Sequence, residues 1–394
     1  MSKKKYEVCV VGGAGHVGVP LSIALASRGV STLINDINEK SLDILRAGEL
    51  PFMEDNAQPL LKEALEKEML GFSSAPESIS EAAIIILTIG TPIDEFHNPL
   101  VDALNSCVDS LLPYISDDQT IILRSTVAPG VTRYLSRHLE SKGKKCALAF
   151  CPERVVQGKG IDEIQSLPQL VSGTSEKAVQ VASDLFSKIA PEIVLMKPGE
   201  AEFAKLICNA YRYIEFAATN QLYMVVENAG YDYNELLRKM KIGYPRLQSI
   251  PGPGFAAGPC LMKDTMQLGS FDKHNFSMGQ IAVSINEGLP NYIVERIRKE
   301  RGTLVGLKIG VLGMAFKSES DDIRDSLSFK LKKLLLFSGA DVSCSDEWVK
   351  DDSFVSKETL LENSEIVIIG IPHKAYRGLK IDDRCEVIDL WDII

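Results

Sequence analysis

The sequence predicts an α/β protein with two Rossmann-like domains, each a parallel sheet with flanking helices, joined by a long central helix. Short β-branched runs alternate with helical segments at both ends of the chain. A stretch of about thirty residues between them carries apolar residues at helical spacing and contains no proline. The chain has 394 residues, which is more than one ordinary core, since a domain holds roughly 150.

The N-terminal third alternates strands and helices. Strand-like runs occupy 7–13, 31–37, 82–90 and 119–126, and a helix is predicted from Val17 to Arg28. These apolar runs are typical of a parallel sheet that is buried on both faces. Two further pieces, 146–153 and 167–173, are expected to extend the sheet, so residues 1–198 are predicted to form the first domain.

The middle of the chain predicts one long helix from Gly199 to Gly230, because glycine suits the left-handed residue that follows a helix. At about 1.5 Å per residue this helix exceeds roughly 40 Å. A helix of that length usually bridges domains or forms a subunit interface, so we expect a homodimer through it. Its apolar positions are Phe203, Leu206, Ile207, Ala210, Ile214, Ala217, Ala218, Leu222 and Val225. With the loop 250–260 and more helix to about residue 301, it forms a predicted central domain, 199–301.

The last third begins a second series of strands and helices. Helices are predicted at 326–339 and near 356–363. The strand-like runs are 308–316, 340–346, 364–372 and 385–390. Residues 302–394 are therefore predicted to form a second Rossmann-like domain.

Charge and composition exclude several classes of function. With 43 Lys+Arg against 53 Asp+Glu, the net charge of −10 argues against nucleic-acid binding. The apolar runs are strand-sized and too short to cross a membrane. The eight cysteines lack CxxC pairs and metal-type spacing, which indicates reduced thiols and no metal site. We therefore expect a cytoplasmic protein without nucleic-acid or membrane partners.

A glycine motif indicates a dinucleotide site. Gly13, Gly15 and Gly18 form GxGxxG directly after the first strand and open a helix, whose N-terminus favours a pyrophosphate. We assign the tight turn to Gly13, phosphate approach to Gly15 and close packing to Gly18. Asp36 follows 21 residues after Gly15, where a carboxylate holds ribose hydroxyls and repels a 2′-phosphate. The motif favours NAD over NADP, although a glycine-rich turn that binds no dinucleotide remains an alternative.

Two residue groups in the middle of the chain suggest chemistry. Lys205 and Asn209 lie four residues apart on one helical face, where they could stabilise an oxyanion or simply face solvent. Cys260 ends a glycine- and proline-rich loop and precedes Lys263 and Asp264. A nearby cation favours a thiolate, which can attack an aldehyde, while a buried structural cysteine is the alternative and is expected for the other seven.

Six segments, in order along nearly the whole chain, resemble the UDP-glucose/GDP-mannose dehydrogenase family of nucleotide-sugar 6-dehydrogenases. They are TIGTP (88–92), RSTVAPGVTR (124–133), CPERVVQGK (151–159), AEFAKLICNAYR (201–212), PGPGFAAGPCLMKD (251–264) and GMAFKSESDDIRDS (313–326). The resemblance implies a four-electron oxidation in which a nucleotide sugar's carbon-6 alcohol becomes an acid at the expense of two NAD and a water.

The resemblance also implies catalytic roles. Cys260 matches the nucleophile, and Lys205 and Asn209 match residues that stabilise oxyanions, with Lys205 also a candidate for proton transfer. Asp264 would assist proton transfer through water. Glu153 would position or activate the water that hydrolyses a thioester.

Further residues are expected to bind the two ligands. Thr126 would lie beside the hydrolytic water and the nicotinamide. The other expected NAD contacts are His16, Val17, Thr91, Lys263 and Arg324. The expected substrate contacts are Glu153, Arg154, Lys205, Asn209, Gly258, Phe316, Lys317 and Arg246, the last resembling an arginine that reaches a neighbouring subunit's sugar site.

The sequence evidence on which sugar is the substrate is mixed. CPERV and YPRL resemble the UDP-N-acetylhexosamine branch, whereas MKD after Cys260 resembles the UDP-glucose branch. We favour a UDP-N-acetylhexosamine slightly, then UDP-glucose, then GDP-mannose, with uronic acid precursors of surface polysaccharides as the implied product. His16 replaces a common tyrosine, and Ala256 and Ala257 stand where glycines are usual.

Two other functions remain open from the sequence. A two-electron β-hydroxyacid-type dehydrogenase would share the dinucleotide fold and the Lys-x-x-x-Asn helix, but it would need neither Cys260 nor a second nucleotide fold. A non-catalytic NAD-binding sensor would keep the glycine loop and Asp36 without a reason to keep Cys260, Lys205, Asn209 and Asp264 together.

Overall fold

The computed structural model describes residues 4–91, 94, 101–273 and 275–394, with only the backbone of Val101. The chain divides into two compact units, Met1–Cys208 and Asn209–Ile394, and the division falls inside the long helix. The three domain boundaries expected from the sequence stay a prediction.

The first unit contains one eight-stranded sheet in the order β3-β2-β1-β4-β5-β6-β7-β8. All neighbouring strands are parallel except β6 and β7, which are antiparallel. The order reverses between β1 and β4, where a crevice forms beyond the carboxyl ends of the strands. The strands are β1 Tyr6–Val11, β2 Thr32–Asn35, β3 Leu70–Ser73, β4 Ala82–Leu87, β5 Thr120–Leu123, β6 Ala147–Phe150, β7 Gln169–Gly173 and β8 Ile193–Leu195.

Helices cover both faces of this sheet, as alternation along β1 shows. Val8 and Val10 pack with Leu21 and Leu25 on one face, and Cys9 and its neighbour Val11 pack with Leu104 on the other. The helices are α1 Gly18–Ser27, α2 Glu39–Arg46, α3 Ala57–Glu66, α4 Val101–Leu111, α5 Val131–Ser141, α6 Gly160–Ser166 and α7 Glu176–Phe186. Because the strands are apolar on both faces, this packing is what the sequence dictates.

The predicted long helix is α8, Pro198–Asn228, which has 31 residues and a length of about 46 Å. Gly230 follows it at a φ of +83°. The Gly230 N–H donates to the Glu227 carbonyl, and the Tyr231 N–H donates to the Val226 carbonyl. These two hydrogen bonds together form a Schellman motif. The glycine therefore terminates the helix as the sequence predicts.

The second unit contains a four-stranded parallel sheet in the order β10-β9-β11-β12. Its strands are β9 Lys308–Leu312, β10 Asp341–Ser345, β11 Ile366–Ile369 and β12 Glu386–Asp389. Its helices after α8 are α9 Tyr233–Lys241, α10 Leu261–Phe271, α11 Ser277–Arg301, α12 Leu327–Phe337 and α13 Lys357–Asn363. Two parallel sheets and a long helix confirm the predicted fold class.

The cysteines are free thiols. Burial raises the pKa of Cys9 to about 12 and does the same for Cys151, so both are structural. Cys208 is exposed, which corrects the expectation that every cysteine other than Cys260 is buried. Within the described ranges, no helix has the length and apolarity needed to span a membrane.

Replacing Gly230 with alanine should destabilise the second unit by about 1 kcal/mol, because an L side chain pays for the left-handed backbone even though no atom lies within 4 Å of the new Cβ. The thermal midpoint should fall by about 2–4 °C in calorimetry. Gly199→Ala, in the first turn of the same helix and equally uncrowded, should raise it slightly. Equal effects of the two substitutions would contradict the assignment.

Candidate active site

The glycine loop after β1 is a tight turn in which backbone atoms leave no room for side chains at two of the glycines. Gly12 has a φ of +74° and its carbonyl accepts the N–H of Gly15, so the turn runs from Gly12 to Gly15 and includes Gly13. A Cβ on Gly13 would lie 2.6 Å from the Val10 carbonyl, and one on Gly18 would lie 2.5 Å from Gly13 Cα. Gly15 has more space, with its nearest atom at 3.4 Å. The packing requires glycine at 13 and 18 and leaves the surface at Gly15 open.

Asp36 is tied to this loop. Its Oδ2 accepts the N–H of Ala14 at 3.0 Å, and its Oδ1 accepts the N–H of Asn38 at 2.9 Å. The carboxylate thus lies beside the glycine turn at the carboxyl end of β2, where an adenosine ribose binds in this fold. The open surface at Gly15, the start of α1 and this carboxylate fit an NAD pyrophosphate and ribose.

The other predicted cofactor residues of this loop are packed differently. The His16 ring lies on Phe52 with centroids 3.9 Å apart, and its Nδ1 is 3.2 Å from Gln157 Nε2. Val17 is half-buried at the start of α1. The imidazole that replaces the usual tyrosine therefore makes contacts within the protein, and its role toward NAD stays a prediction.

Glu153 and Lys205 form a buried ion pair in the first unit. Their Oε1 and Nζ atoms are 3.1 Å apart, and the side chains are 12% and 5% exposed. Glu153 Oε2 also accepts the N–H of Val155 at 2.8 Å. Burial alone would raise the pKa of Glu153, but the charges of Lys205 and Arg124 outweigh it and lower the pKa below its ordinary value. Glu153 is therefore held as a carboxylate, the form that can orient a water or take its proton.

Arg124 supports this pair and was missed as a site residue. It is fully buried, donates to the Cys151 carbonyl at 3.2 Å and to Gln169 at 3.0 Å, and lies over the Phe186 ring. Desolvation lowers its pKa. An arginine that directly follows an apolar strand is the signal that could have found it, because a buried charge needs a partner.

Three further predicted residues, Thr91, Thr126 and Arg154, lie on segments that follow strands of the first unit. Thr91 donates its hydroxyl to the backbone carbonyl of Thr126 at 2.5 Å, which ties the segments after β4 and β5 together. Arg154 donates to the Pro168 carbonyl. Its contact with substrate, like the contacts of both threonines with NAD, stays a prediction.

Asn209, Lys263 and Asp264 meet in the second unit. Asn209 Nδ2 donates to Asp264 Oδ2 at 2.6 Å, and Lys263 Nζ lies 2.7 Å from Asp264 Oδ1 as an ion pair. Asp264 is 1% exposed, so its carboxylate depends on these two partners. The α8 amide and the α10 acid, separated by 55 positions in sequence, therefore form one polar cluster.

Cys260 is exposed and directly precedes α10 as its N-cap residue. Arg324 is a charged neighbour of the thiol, while Lys263 forms an ion pair with Asp264. The pKa of Arg324 is raised, first by its hydrogen bonds to Asp322, and Cys260 also contributes. Asp322 holds the guanidinium through both carboxylate oxygens at 2.6 to 3.0 Å, which gives this acid a local structural role. A guanidinium near a thiol at a helix N-terminus favours the thiolate.

The predicted substrate residues of the C-terminal sheet lie on the loop after β9. Phe316 packs against the loop that precedes Cys260, since a Cβ on Gly258 would lie 2.4 Å from its ring, and Gly258 itself has a φ of +96°. Lys317 follows and is half-buried. Arg246 is exposed on another loop and stacks over Tyr244, which leaves its proposed contact across subunits a prediction.

Two buried side chains fix this loop. Asp346, at the end of β10, accepts the N–H groups of Met314 and Ala315 and is 3.2 Å from His373 Nε2. His373 Nδ1 accepts the N–H of Glu319 at 3.0 Å, which gives this buried histidine a structural role. Burial opposes ionisation of Asp346, but the bonds from His373 and from backbone N–H groups leave its pKa at about 2.

Three domain models of one family match the chain in order. They are the NAD binding domain, residues 6–190, the central domain, 199–287, and the UDP binding domain, 310–393, of the UDP-glucose/GDP-mannose dehydrogenase family. The chain belongs to this family. NAD is accordingly its cofactor, and it is an oxidoreductase that acts on a nucleotide sugar. The alternative of a non-catalytic NAD sensor is therefore excluded.

Its similarity to known members extends along the whole chain. The UDP-N-acetyl-D-mannosamine dehydrogenase of Methanocaldococcus jannaschii is 28% identical over 384 residues, which cover 96% of this chain and 88% of that protein. The structure of a UDP-D-ManNAc dehydrogenase from Pyrococcus horikoshii has a TM-score of 0.91 at 26% identity, covering 98% of this chain and 96% of its own. A UDP-glucose dehydrogenase from Pyrobaculum islandicum also has a TM-score of 0.91, at 24% identity, with coverage of 100% and 95%, and it supports the fold alone.

Substituting Lys205 with methionine should destabilise the first unit by about 3 kcal/mol, because it leaves the buried Glu153 carboxylate without its nearest partner. Adding Glu153→Gln to Lys205→Met should restore at least about 1 kcal/mol, since the uncompensated charge is then gone. Chemical denaturation of the single and double variants measures both effects. Lys67→Met, which breaks an exposed pair with Glu63 in the same unit, should be nearly neutral, and a similar loss there would refute the interpretation.

Proposed function

We propose that the protein oxidises the carbon-6 hydroxyl of a UDP-N-acetylhexosamine to the uronic acid in two successive two-electron steps, with Cys260 as the covalent nucleophile. The observation that carries the proposal is an exposed thiol at the N-cap of α10, four residues before the buried Asp264 that Asn209 and Lys263 hold. A buried thiol could not reach an aldehyde, whereas this one is accessible and has Arg324 as a neighbour.

The proposed sugar rests on two kinds of support. The segments CPERV and YPRL resemble the N-acetylhexosamine branch. Several relatives that match nearly the whole chain are named UDP-N-acetyl-D-mannosamine dehydrogenases, among them those of Methanocaldococcus jannaschii and Methanococcus maripaludis. UDP-N-acetyl-D-mannosamine is therefore the first substrate to test, ahead of UDP-glucose.

The proposed reaction balances over four steps. The alcohol first loses a hydride and a proton and becomes an aldehyde. The Cys260 thiol then adds to the aldehyde carbon and forms a thiohemiacetal, which loses a second hydride and a proton and becomes a thioester. Water finally cleaves the carbon–sulfur bond, which releases the carboxylate, the thiol and a proton. Bound NAD supplies the hydride acceptor, one molecule for each two-electron step.

The polar residues have matching tasks in this proposal. Glu153, kept ionised by Lys205 and Arg124, orients or deprotonates the hydrolytic water. Lys205 and the amide of Asn209 stabilise the oxygen that becomes negative when carbon is attacked. Asp264 accepts from Asn209, so it fixes the direction in which that amide points and relays protons through water. Thr126 lies beside the nicotinamide and the water.

The stoichiometry of NADH tests the reaction. With excess NAD and a limiting sugar, we expect two NADH per UDP-N-acetylhexosamine, and little from UDP-glucose or GDP-mannose. Cys260→Ala should form no uronic acid, because no thioester can form. Cys208→Ala removes the other exposed thiol and should leave the ratio at two.

Other outcomes identify other functions. A ratio near one in the unsubstituted protein would indicate a two-electron dehydrogenase with a structural Cys260. A ratio of two only with UDP-glucose would move the substrate to the other branch. Full activity of Cys260→Ala would overturn the covalent mechanism.

The homodimer is part of the proposal and rests on one face of α8. Tyr211, Leu222 and Val225 are 62%, 49% and 57% exposed, and with Ile214 and Ala218 they recur every three or four residues. Tyr213, Ala217 and Tyr223 form the opposite, buried face. The apolar positions predicted from the sequence thus divide into a core face and an uncovered face, and a second copy would cover the latter.

Charge on this face should separate the subunits. Leu222→Asp together with Val225→Asp should halve the mass measured by light scattering at micromolar concentration, because two carboxylates cannot be desolvated unpaired. Gln221→Asp, on an exposed neighbouring position, is the control and should keep the dimer. A monomeric unsubstituted protein would contradict the proposal.

The product class suggests a biological place. Uronic acids of N-acetylhexosamines are precursors of surface polysaccharides, so we place the enzyme in that synthesis and in the cytoplasm, where its thiols stay reduced.

A further inference from the structure

We propose that Asn220 and Trp391 are positioning residues that hold Gly254, and through it the loop that delivers the Cys260 thiol to the substrate aldehyde. The inference rests on the proposed role of Cys260. Neither residue belongs to the segments that point to the catalytic or cofactor contacts.

Asn220 binds both backbone groups of Gly254. Its Oδ1 accepts the Gly254 N–H at 2.9 Å, and its Nδ2 donates to the Gly254 carbonyl at 3.0 Å. The side chain is completely buried on α8. One amide therefore satisfies a donor and an acceptor of the loop at a single residue, as a neighbouring strand would.

A second buried amide fixes the first. Asn286 on α11 accepts from Asn220 Nδ2 at 2.9 Å and donates to the Tyr213 carbonyl of α8 at 3.0 Å. This bond determines which end of the Asn220 amide faces each group of Gly254. Since both amides are fully buried, an unpaired polar end would have no water to replace its partner, which locks the orientation.

The Trp391 ring leaves no room for a side chain at Gly254. A Cβ at Gly254 would lie 2.3 Å from the indole ring, and Gly254 has a φ of +151°, so the residue must be glycine. The ring itself is fixed, because its Nε1 donates to the Gly370 carbonyl at 3.0 Å. Gly254 therefore lies between a ring face and a buried amide.

The path from Gly254 to the thiol is short and tightly packed. Phe255 and Ala256 are 3% and 5% exposed, and Gly258 lies against Phe316. Cys260 directly follows this packed segment, so the loop backbone sets the position of the residue that carries the sulfur. An error of about 1 Å in a reacting atom can cost about a hundred-fold in rate.

The rates of the two oxidation steps distinguish positioning of the Cys260 thiol from a general structural effect. The first oxidation needs no thiol, whereas the second needs the thiohemiacetal. Asn220→Ala and Trp391→Ala should therefore lower the NADH per sugar from two toward one and release aldehyde that an aminooxy reagent traps. The KM values for sugar and NAD should stay close to those of the unsubstituted protein. Trp391→Phe keeps a ring over Gly254 and should stay near two.

Asn234→Ala is the matched control for Trp391. Its amide lies 3.5 and 3.4 Å from the Asp389 and Leu390 carbonyls, directly before Trp391, and it does not touch Gly254. This variant should keep a ratio of two. Circular dichroism and melting temperature identify folded variants, and Trp391→Ala serves if Asn220→Ala does not fold.

If the unsubstituted protein does not form two NADH per sugar, the proposed reaction has failed. A measurement that needs no turnover then still tests the inference. The iodoacetamide rate of Cys260, measured by peptide mass spectrometry, should change several-fold in both alanine variants, while the exposed Cys208 reacts as before. Folded variants with an unchanged ratio and unchanged Cys260 alkylation would overturn the inference. An equal slowing of both oxidations would overturn it as well, because it would indicate a general structural effect.

Discussion

Charges that are removed from water must be paired, and this constraint organises both units of the protein. In the first unit it joins Glu153 to Lys205, with Arg124 behind them. In the second it joins Asp264 to Asn209 and Lys263. In the first unit the pairing lowers the pKa of Glu153 and so keeps it a carboxylate, the form on which its proposed role depends.

Helix α8 contributes residues to both clusters, Lys205 in the first unit and Asn209 in the second. In the second unit, the same helix also provides Asn220, whose amide binds Gly254 in the loop before Cys260. One regular helical segment therefore carries both the amide that binds Asp264 and the amide that binds this loop.

Most of the fold could be predicted because its signals are local. The strand β1, the glycine turn and the ending of α8 at Gly230 follow from periodicity and backbone freedom, which neighbouring residues determine. The pairs Glu153 with Lys205 and Asn209 with Asp264 span 52 and 55 positions, so no periodicity reveals them, and the family resemblance supplied their members without their contacts. For the same reason, sequence spacing could not predict the charge of Arg324 near Cys260, because this arginine lies on a loop 64 residues after the thiol. The short strands β3 and β8 lacked a periodic signal altogether, since each has only three or four residues.

The aspartates that follow the second strand of each sheet, Asp36 and Asp346, differ in how accessible their carboxylates are. This difference has a consequence for inhibitor design. Asp36 binds one N–H of the glycine turn and stays half-buried, so a ribose can still reach it. Asp346 has no exposed surface and is saturated by four backbone N–H groups and His373. An adenosine analogue built around a ribose–carboxylate contact would therefore find its anchor only in the first unit. Compounds aimed at the second sheet need a different anchor, so selectivity between the two nucleotide folds can be designed from the sugar contact alone.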